Sequence, residues 1–490
     1  MQHSKISLKK KLTAALAWNF LEELCKHGIS SAITIILARF LLPQDYGLIA
    51  MTSVFIGLSN SVADSGFRQA LIRKKDADQI DFCTVFYTNI FLGVIAYLVL
   101  FAFAPLVASF YNEPRLILLL RVIGVVIIIN SFQIVQRAGL SRTLDFKTQL
   151  KASVPGAFLS GTLAVILAAR GAGTWALVAQ MLTASLLTTI FLWIYRRWKP
   201  TFVYSYKSFK EMFAFGSKLF MAGLLTTLFN NIYVIFIAKL FSATDAGYYA
   251  FASKIFEFVI SKISRSIQSV TYPALASIQD ENVRLKQGYR QSLSGITFFI
   301  FPLGLFFAAF AEPIFRLFLS DTWMQAVPYV QLMMLSGIFH PLHSANLNVL
   351  KVKGRSDLFL YLEIVKKVII VAVLVISVPY GIYGILIGKI ATTVLAYVIN
   401  SYFTKKLIGY SVKEQLSDIL PNLALSGVIS IIMLFIVRQS EYHALIQILG
   451  FGTIAVLSYF FVAYIFKLGS AVLVSNMLKL WVKKVHLRMT

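Results

Sequence analysis

Residues Ile35–Ser53 read IILARFLLPQDYGLIAMTS, and residues Ile235–Ser253 read IFIAKLFSATDAGYYAFAS. Shifted by two hundred positions, Ile35 meets Ile235, Ala38 meets Ala238, Asp45 meets Asp245, Gly47 meets Gly247, Ala50 meets Ala250 and Ser53 meets Ser253, with Arg39 against Lys239. Each copy is an apolar helix ending in a basic residue, a short polar turn, and a second apolar helix. The apolar and polar pattern on either side repeats as well. A duplicated helical bundle of this kind is a sequence signature of membrane transporters.

The rest of the chain extends that reading. Of 490 residues, 58% are hydrophobic and 14% charged, where a soluble domain carries roughly 25% charged residues. Apolar runs of about 20 residues recur from end to end, each long enough to cross the roughly 30 Å hydrocarbon core of a bilayer. They fall at 12–41, 45–67, 82–108, 115–137, 152–169, 174–195, 212–240, 246–271, 291–311, 326–350, 357–378, 382–403, 416–437 and 444–466. The expected fold is an all-α polytopic membrane protein of about fourteen transmembrane helices. Helices 1–6 (residues 1–205) and 7–12 (206–405) form two lobes, helices 13 and 14 (406–466) lie outside the duplication, and 467–490 are a basic tail. That tail lies along the inner leaflet as an amphipathic helix or is simply solvated.

The formal net charge is +25, a value that would suggest nucleic acid in a soluble protein. Its placement argues otherwise. The N-terminus, the even-numbered loops and the tail hold 31 Lys and Arg residues, and the opposite loops hold six. This asymmetry excludes nucleic acid as the partner and puts both termini in the cytoplasm. The basic N-terminus leads into a long helix without a small-residue cleavage site, so the first span is expected to be retained. Cys25 and Cys83 sit in or beside apolar spans and imply neither a disulfide framework nor a metal site.

Each lobe contains an even number of crossings, so the copies enter the membrane in the same direction, a parallel repeat about the membrane normal. A cavity between the lobes is the expected consequence. Nine cations fall inside spans: Lys26, Arg121, Lys218, Lys254, Lys262, Arg265, Lys366, Lys367 and Lys389. Five acids join them: Glu22, Glu23, Asp64, Glu257 and Glu363. Each charge costs a few kcal/mol or more at the bilayer centre, so each should face a partner or a watery cavity. Glu22 with Lys26, Glu363 with Lys367, and Lys254 with Glu257 have the spacing of local helical pairs. Structural pairing or snorkelling to headgroups is the plain alternative to a functional role.

The excess of cations favours an anionic ligand by electrostatic focusing, and phosphate suits a membrane-borne substrate. Lys26, Arg121, Lys254, Lys366 and Lys389 lie deepest and are the candidates to contact it. Asn230 and Asn231 can hydrogen-bond sugar hydroxyls or merely bridge helices. The stretch FHPLHSANLN brings His340 and His343 together beside Pro341, a proton or ion site or else a plain polar wall. Glu22, Glu23, Asp64, Glu257 and Glu363 are the acidic candidates for ion coupling. There is no Walker loop, no hydrolase or zinc-protease motif and no paired-cysteine metal site, so no enzyme, cofactor or metal is expected.

LARFLLPQDYGLIAM, SGFRQALIRKKD, APLVASFYNEPRL, LSRTLDFK, GAGTWALV, AGYYAFASKI and VTYPALASIQDE resemble, in this order, the polysaccharide-exporter branch of the multidrug/oligosaccharidyl-lipid/polysaccharide (MOP, MATE-like) transporter superfamily. The resemblance covers residues 10–410 and is closest to the Wzx-type lipopolysaccharide, colanic-acid and teichuronic-acid flippases. It implies a fourteen-helix, two-lobed fold working by alternating access in the bacterial inner membrane. The implied substrate is an oligosaccharide on undecaprenyl pyrophosphate, with the polymerase and export proteins of the pathway as partners. Cationic cavity residues would hold the pyrophosphate, and the membrane potential, H+ or Na+ would supply energy. A drug or cation antiporter of the same superfamily favours an acidic cavity, the reverse of the charge balance here. A membrane enzyme such as a polymerase needs a larger outer loop than any in the chain. A passive scaffold leaves the buried charges without a purpose.

Overall fold

The structure is a computed structural model and describes residues 2–261, 264 and 271–472. The tail from 473 onward, Lys262 and Arg265 lie outside the described residues. Among those described, every regular element is helical and no strand occurs. They divide into two compact units, Met1–Ala250 and Phe251–Thr490.

The first unit holds α1 (Gln2–Ala38), α2 (Pro43–Asp64), α3 (Phe67–Arg73), α4 (Gln79–Tyr111), α5 (Arg115–Ile123), α6 (Val125–Arg142), α7 (Phe146–Ala169), α8 (Thr174–Tyr195), α9 (Tyr206–Asn230), α10 (Ile232–Leu240) and most of α11 (Ala243–Phe256). Helix boundaries follow local chemistry. Asp78 and Asp81 form a reciprocal capping box at the start of α4, and Asn112 in the left-handed region ends it. Pro43, which lacks the N–H that a first turn leaves unused, opens α2. Although the sequence repeat begins a second lobe at 206, α9 packs on α2, α3 and α4 and belongs to the first unit. Lys74 fastens this packing, reaching Asp81 on α4 at 2.9 Å and Glu211 on α9 at 3.1 Å. Chiefly through Asp81, these carboxylates hold its ammonium above the usual lysine range.

The second unit holds α12 (Asn282–Ala309), α13 (Ala311–Phe318), α14 (Val327–Gly337), α15 (His340–Val352), α16 (Ser356–Ser377), α17 (Gly381–Ile408), α18 (Val412–Gln439) and α19 (Gly452–Ile465). Its core joins α12, α15 and α17 through Tyr289, Leu293, Leu342, Val349 and Tyr397, and the start of α18 through Ile419.

Ten helical stretches among the described residues are long and apolar enough to span a membrane, so the count of fourteen is not confirmed. The first and tenth expected spans fall short of that measure, the eighth runs into residues outside those described, and the eleventh and twelfth run together in Asp357–Ile408. The causes at the first and tenth are local: α1 carries Glu22, Glu23 and Lys26, and the tenth span breaks between α14 and α15. The exterior matches a bilayer: Leu106, Leu457 and Ile431 are more than half exposed, whereas Asn89, Asn400 and Gln415 are fully buried. Lipid tails solvate the apolar exterior, and the polar groups turn inward where other helices can meet them. This is a multi-pass membrane protein.

The repeated glycines have a structural reason. A Cβ on Gly47 would lie 1.7 Å from the Ala243 carbonyl oxygen, and one on Gly247 would lie 1.8 Å from that of Pro43. Position 243 is the repeat equivalent of 43, so the contact between α2 and α11 is reciprocal. No side chain fits there.

Candidate functional site

The interior of the first unit contains a chain of polar groups. Glu22 on α1 is 6% exposed. Ser153 on α7 donates to its carboxylate at 3.1 Å, and Arg137 and Lys26 supply nearby positive charge. Arg137 Nε donates to Gln133 at 3.2 Å, and Gln133 donates to Asn130 Oδ1 at 2.9 Å. Asn130 Oδ1 also accepts from Ser185 on α8 at 2.6 Å, and its amide donates to Asn60 on α2 at 3.1 Å. One network thus ties α7, α1, α6, α8 and α2. Asp64 accepts the backbone N–H of Arg68 at 3.1 Å, and Arg68 in turn lies near Arg137.

This corrects the sequence inventory. Arg68 and Arg137 are counted there among loop cations, yet Arg137 is inside α6, half-buried. In the first unit three acids (Glu22, Glu23, Asp64) are set among three cations (Lys26, Arg68, Arg137). Arg121 stands apart, half-buried over the Phe101 ring at 4.3 Å. Asn230 is exposed and Asn231 donates to the Thr227 carbonyl at 2.8 Å, at the break between α9 and α10.

The second unit gathers more of the candidates. The His340 and His343 rings stand 4.9 Å apart. Lys366, 8% exposed, pairs with Glu363 on its own helix and lies near His343. Lys389 sits 6.0 Å over the Phe256 ring, which also touches His340 at 6.2 Å. Lys367 adds charge beside Glu363 and Lys366. Lys254 and Glu257 are exposed, with Lys254 nonetheless set deep among protein atoms. Lys366 is balanced locally by Glu363, and Lys254 has accessible surface.

Sequence reasoning missed the neutral partners. Asn130, Gln133 and Arg137 recur at helical spacing along one face of α6, as do Asn400, Ser401 and Thr404 along α17. Polar residues repeated at that spacing inside apolar runs are the signal that marks them.

The fold and these buried polar groups define a helical, multi-pass membrane protein. The family described as polysaccharide biosynthesis protein matches residues 36–328, more than half the chain, and the chain belongs to it. The teichuronic acid biosynthesis protein TuaB of Bacillus subtilis is 25% identical over 436 residues, covering 86% of this chain and 90% of its own. The lipopolysaccharide biosynthesis protein WzxC of Escherichia coli is 22% identical, over 87% and 89%. The succinoglycan biosynthesis transport protein ExoT of Rhizobium meliloti is 23% identical, over 82% and 80%. Among solved structures, the lipid II flippase MurJ in an inward closed conformation superposes with a TM-score of 0.71, at 14% identity over 91% of this chain and 98% of that one. An inward-facing multidrug MATE transporter of the MOP superfamily gives 0.60, at 17% identity over 80% and 96%. The fold is that of the MOP superfamily.

Proposed function

We propose that the protein is a flippase that moves oligosaccharide repeat units on undecaprenyl pyrophosphate across the cytoplasmic membrane, by alternating access, for assembly of a surface polysaccharide. The observation that carries the reading is the family match, reinforced by relatives aligned over 80–90% of their own length. All three are named for polysaccharide biosynthesis, and one is named a transport protein. The charge asymmetry of the loops supports cytoplasmic termini.

The chemistry supports an anionic headgroup. Lys254 joins a long, flexible stem to accessible surface deep in the second unit, suited to a phosphate as a compact charge. The prenyl chain would remain in lipid, since moving it through a polar interior would cost about 0.8 kcal/mol per CH₂ withdrawn. The antiporter reading shares the fold but not the family.

Binding separates the two. In native mass spectrometry of the full chain, an undecaprenyl-pyrophosphate oligosaccharide should be retained at least about tenfold better than an organic cation such as rhodamine 6G, a gap of 1.4 kcal/mol. Equal or reversed retention would overturn the proposal.

A further inference from the structure

The segment joining α8 to α9 has no helix of its own, yet it is not a loose loop. The Trp198 indole donates to Gln79 Oε1 at 2.7 Å, and the Gln79 amide donates to the Lys199 carbonyl at 2.9 Å. The Thr201 N–H donates to Cys83 Sγ at 3.3 Å, and the Tyr87 hydroxyl donates to the Thr201 carbonyl at 3.2 Å. The Ser205 N–H donates to Thr84 Oγ1 at 3.0 Å. Residues 198–205 are thus a strap stitched along the first turns of α4.

What the strap presents outward is aromatic and cationic. Phe202 is 100% exposed, Tyr206 70% and Tyr204 53%. A loose loop could tuck such rings away, whereas this backbone is held and keeps them out. From Arg196 to Lys210 the chain carries five Lys and Arg and no Asp or Glu. Arg196 is committed inward, donating to the Val135 and Gln136 carbonyls at 2.6 and 3.1 Å. Lys199, Lys207 and Lys210 are exposed. Grouped exposed apolar rings mark a surface that meets a partner or a membrane.

The side on which the rings lie decides between these. Phe202 stacks on Tyr87 with ring centres 6.2 Å apart. Tyr87, Phe91, Ile95 and Leu98 follow at i, i+4, i+8 and i+11, one face of α4. Phe91 and Leu98 are 65% and 56% exposed, on a helix long and apolar enough to span the membrane. The strap aromatics therefore continue a lipid-facing stripe at the end of the span, the place of interfacial aromatic belts. Basic residues beside such a belt meet lipid phosphates.

We propose that the strap is a docking surface for anionic phospholipid of the inner leaflet. Lys199, Lys207 and Lys210 hold the headgroup, and an acyl chain lies against Phe202, Tyr87 and Phe91. The leaflet follows from the charge asymmetry of the loops. None of this depends on the flippase reading.

Photocrosslinking of the full chain tests it, with benzoylphenylalanine replacing Phe202, in nanodiscs of equal parts phosphatidylglycerol and phosphatidylcholine. Mass spectrometry of the irradiated chain should show phospholipid adducts, with phosphatidylglycerol captured about tenfold over phosphatidylcholine. The triple variant Lys199→Gln, Lys207→Gln, Lys210→Gln should still capture lipid, with the ratio brought close to one. Lys405→Gln, Lys406→Gln, Lys413→Gln removes three exposed cations of the second unit and should leave the ratio unchanged. Absence of lipid adducts at position 202, or adducts to a second copy of the chain in their place, would overturn the membrane docking. Equal capture of the two lipids by the parent chain, or the same fall in both triple variants, would overturn the anionic site.

Discussion

Arg137 is the residue whose removal should be felt most in the first unit. Without it, the Glu22 carboxylate keeps Ser153 and the nearby Lys26 but loses one positive charge, and the Gln133 side-chain oxygen loses its donor; losing a hydrogen bond to a charged group costs about 1.5–3 kcal/mol. Arg137→Ala should therefore lower the thermal unfolding temperature of the purified chain. Glu22→Gln combined with Arg137→Gln should recover part of the loss, and strictly additive losses would rule out coupling between the two. Lys254→Ala should insert and unfold like the parent protein yet fail to transport, whereas normal transport would remove Lys254 from the site. Lys254 and Glu22 were legible in the sequence because a charge inside an apolar run is conspicuous. Arg137 was not. It is followed closely by Arg142 and by a turn at Leu144, so that charge density reads as a loop although the helix continues to Arg142. Neutral Asn and Gln partners are less visible still, since hydropathy averages them away.

Helices α2 and α11 meet where neither can bear a side chain. Gly47→Ala would drive a methyl group into the Ala243 carbonyl, a backbone atom that no rotamer change can move aside. It should destabilise the protein by about 1–3 kcal/mol, as overpacking does, and Gly247→Ala should behave alike. Gly427→Ala on α18 is the control: nothing lies within 4 Å of its added Cβ, and alanine should stabilise that helix by up to about 1 kcal/mol. Equal effects at the three sites, read from unfolding temperatures, would contradict the close approach. The paired glycines were visible as a repeat, but their contact was not, because the repeat specifies equivalence and not proximity. Helix positions were legible from apolar runs. Pro341, in the first turn of α15, marks the break between α14 and α15, whereas the breaks at Gly124 and Asn231 were not legible, since those residues leave the hydropathy unbroken.

At the scale of the whole molecule, an apolar exterior around polar seams suits a protein that must handle a charged, sugar-bearing group within lipid. The membrane character and superfamily were legible from composition and motif order, and the family match and fold agree with them. The packing of α9 on α2, α3 and α4 was not legible, because the repeat specifies equivalence and not contact. The measurement that decides most is made in sealed proteoliposomes containing the full chain and a fluorescent oligosaccharide on undecaprenyl pyrophosphate, with the label outside reduced by a membrane-impermeant agent. About half of the label is protected in protein-free vesicles, because the charged headgroup cannot cross unaided. With the protein present, nearly all of it should become reducible, and Lys254→Ala should restore protection. Protection that stays at about half with the folded protein in the membrane would contradict the assignment as a flippase.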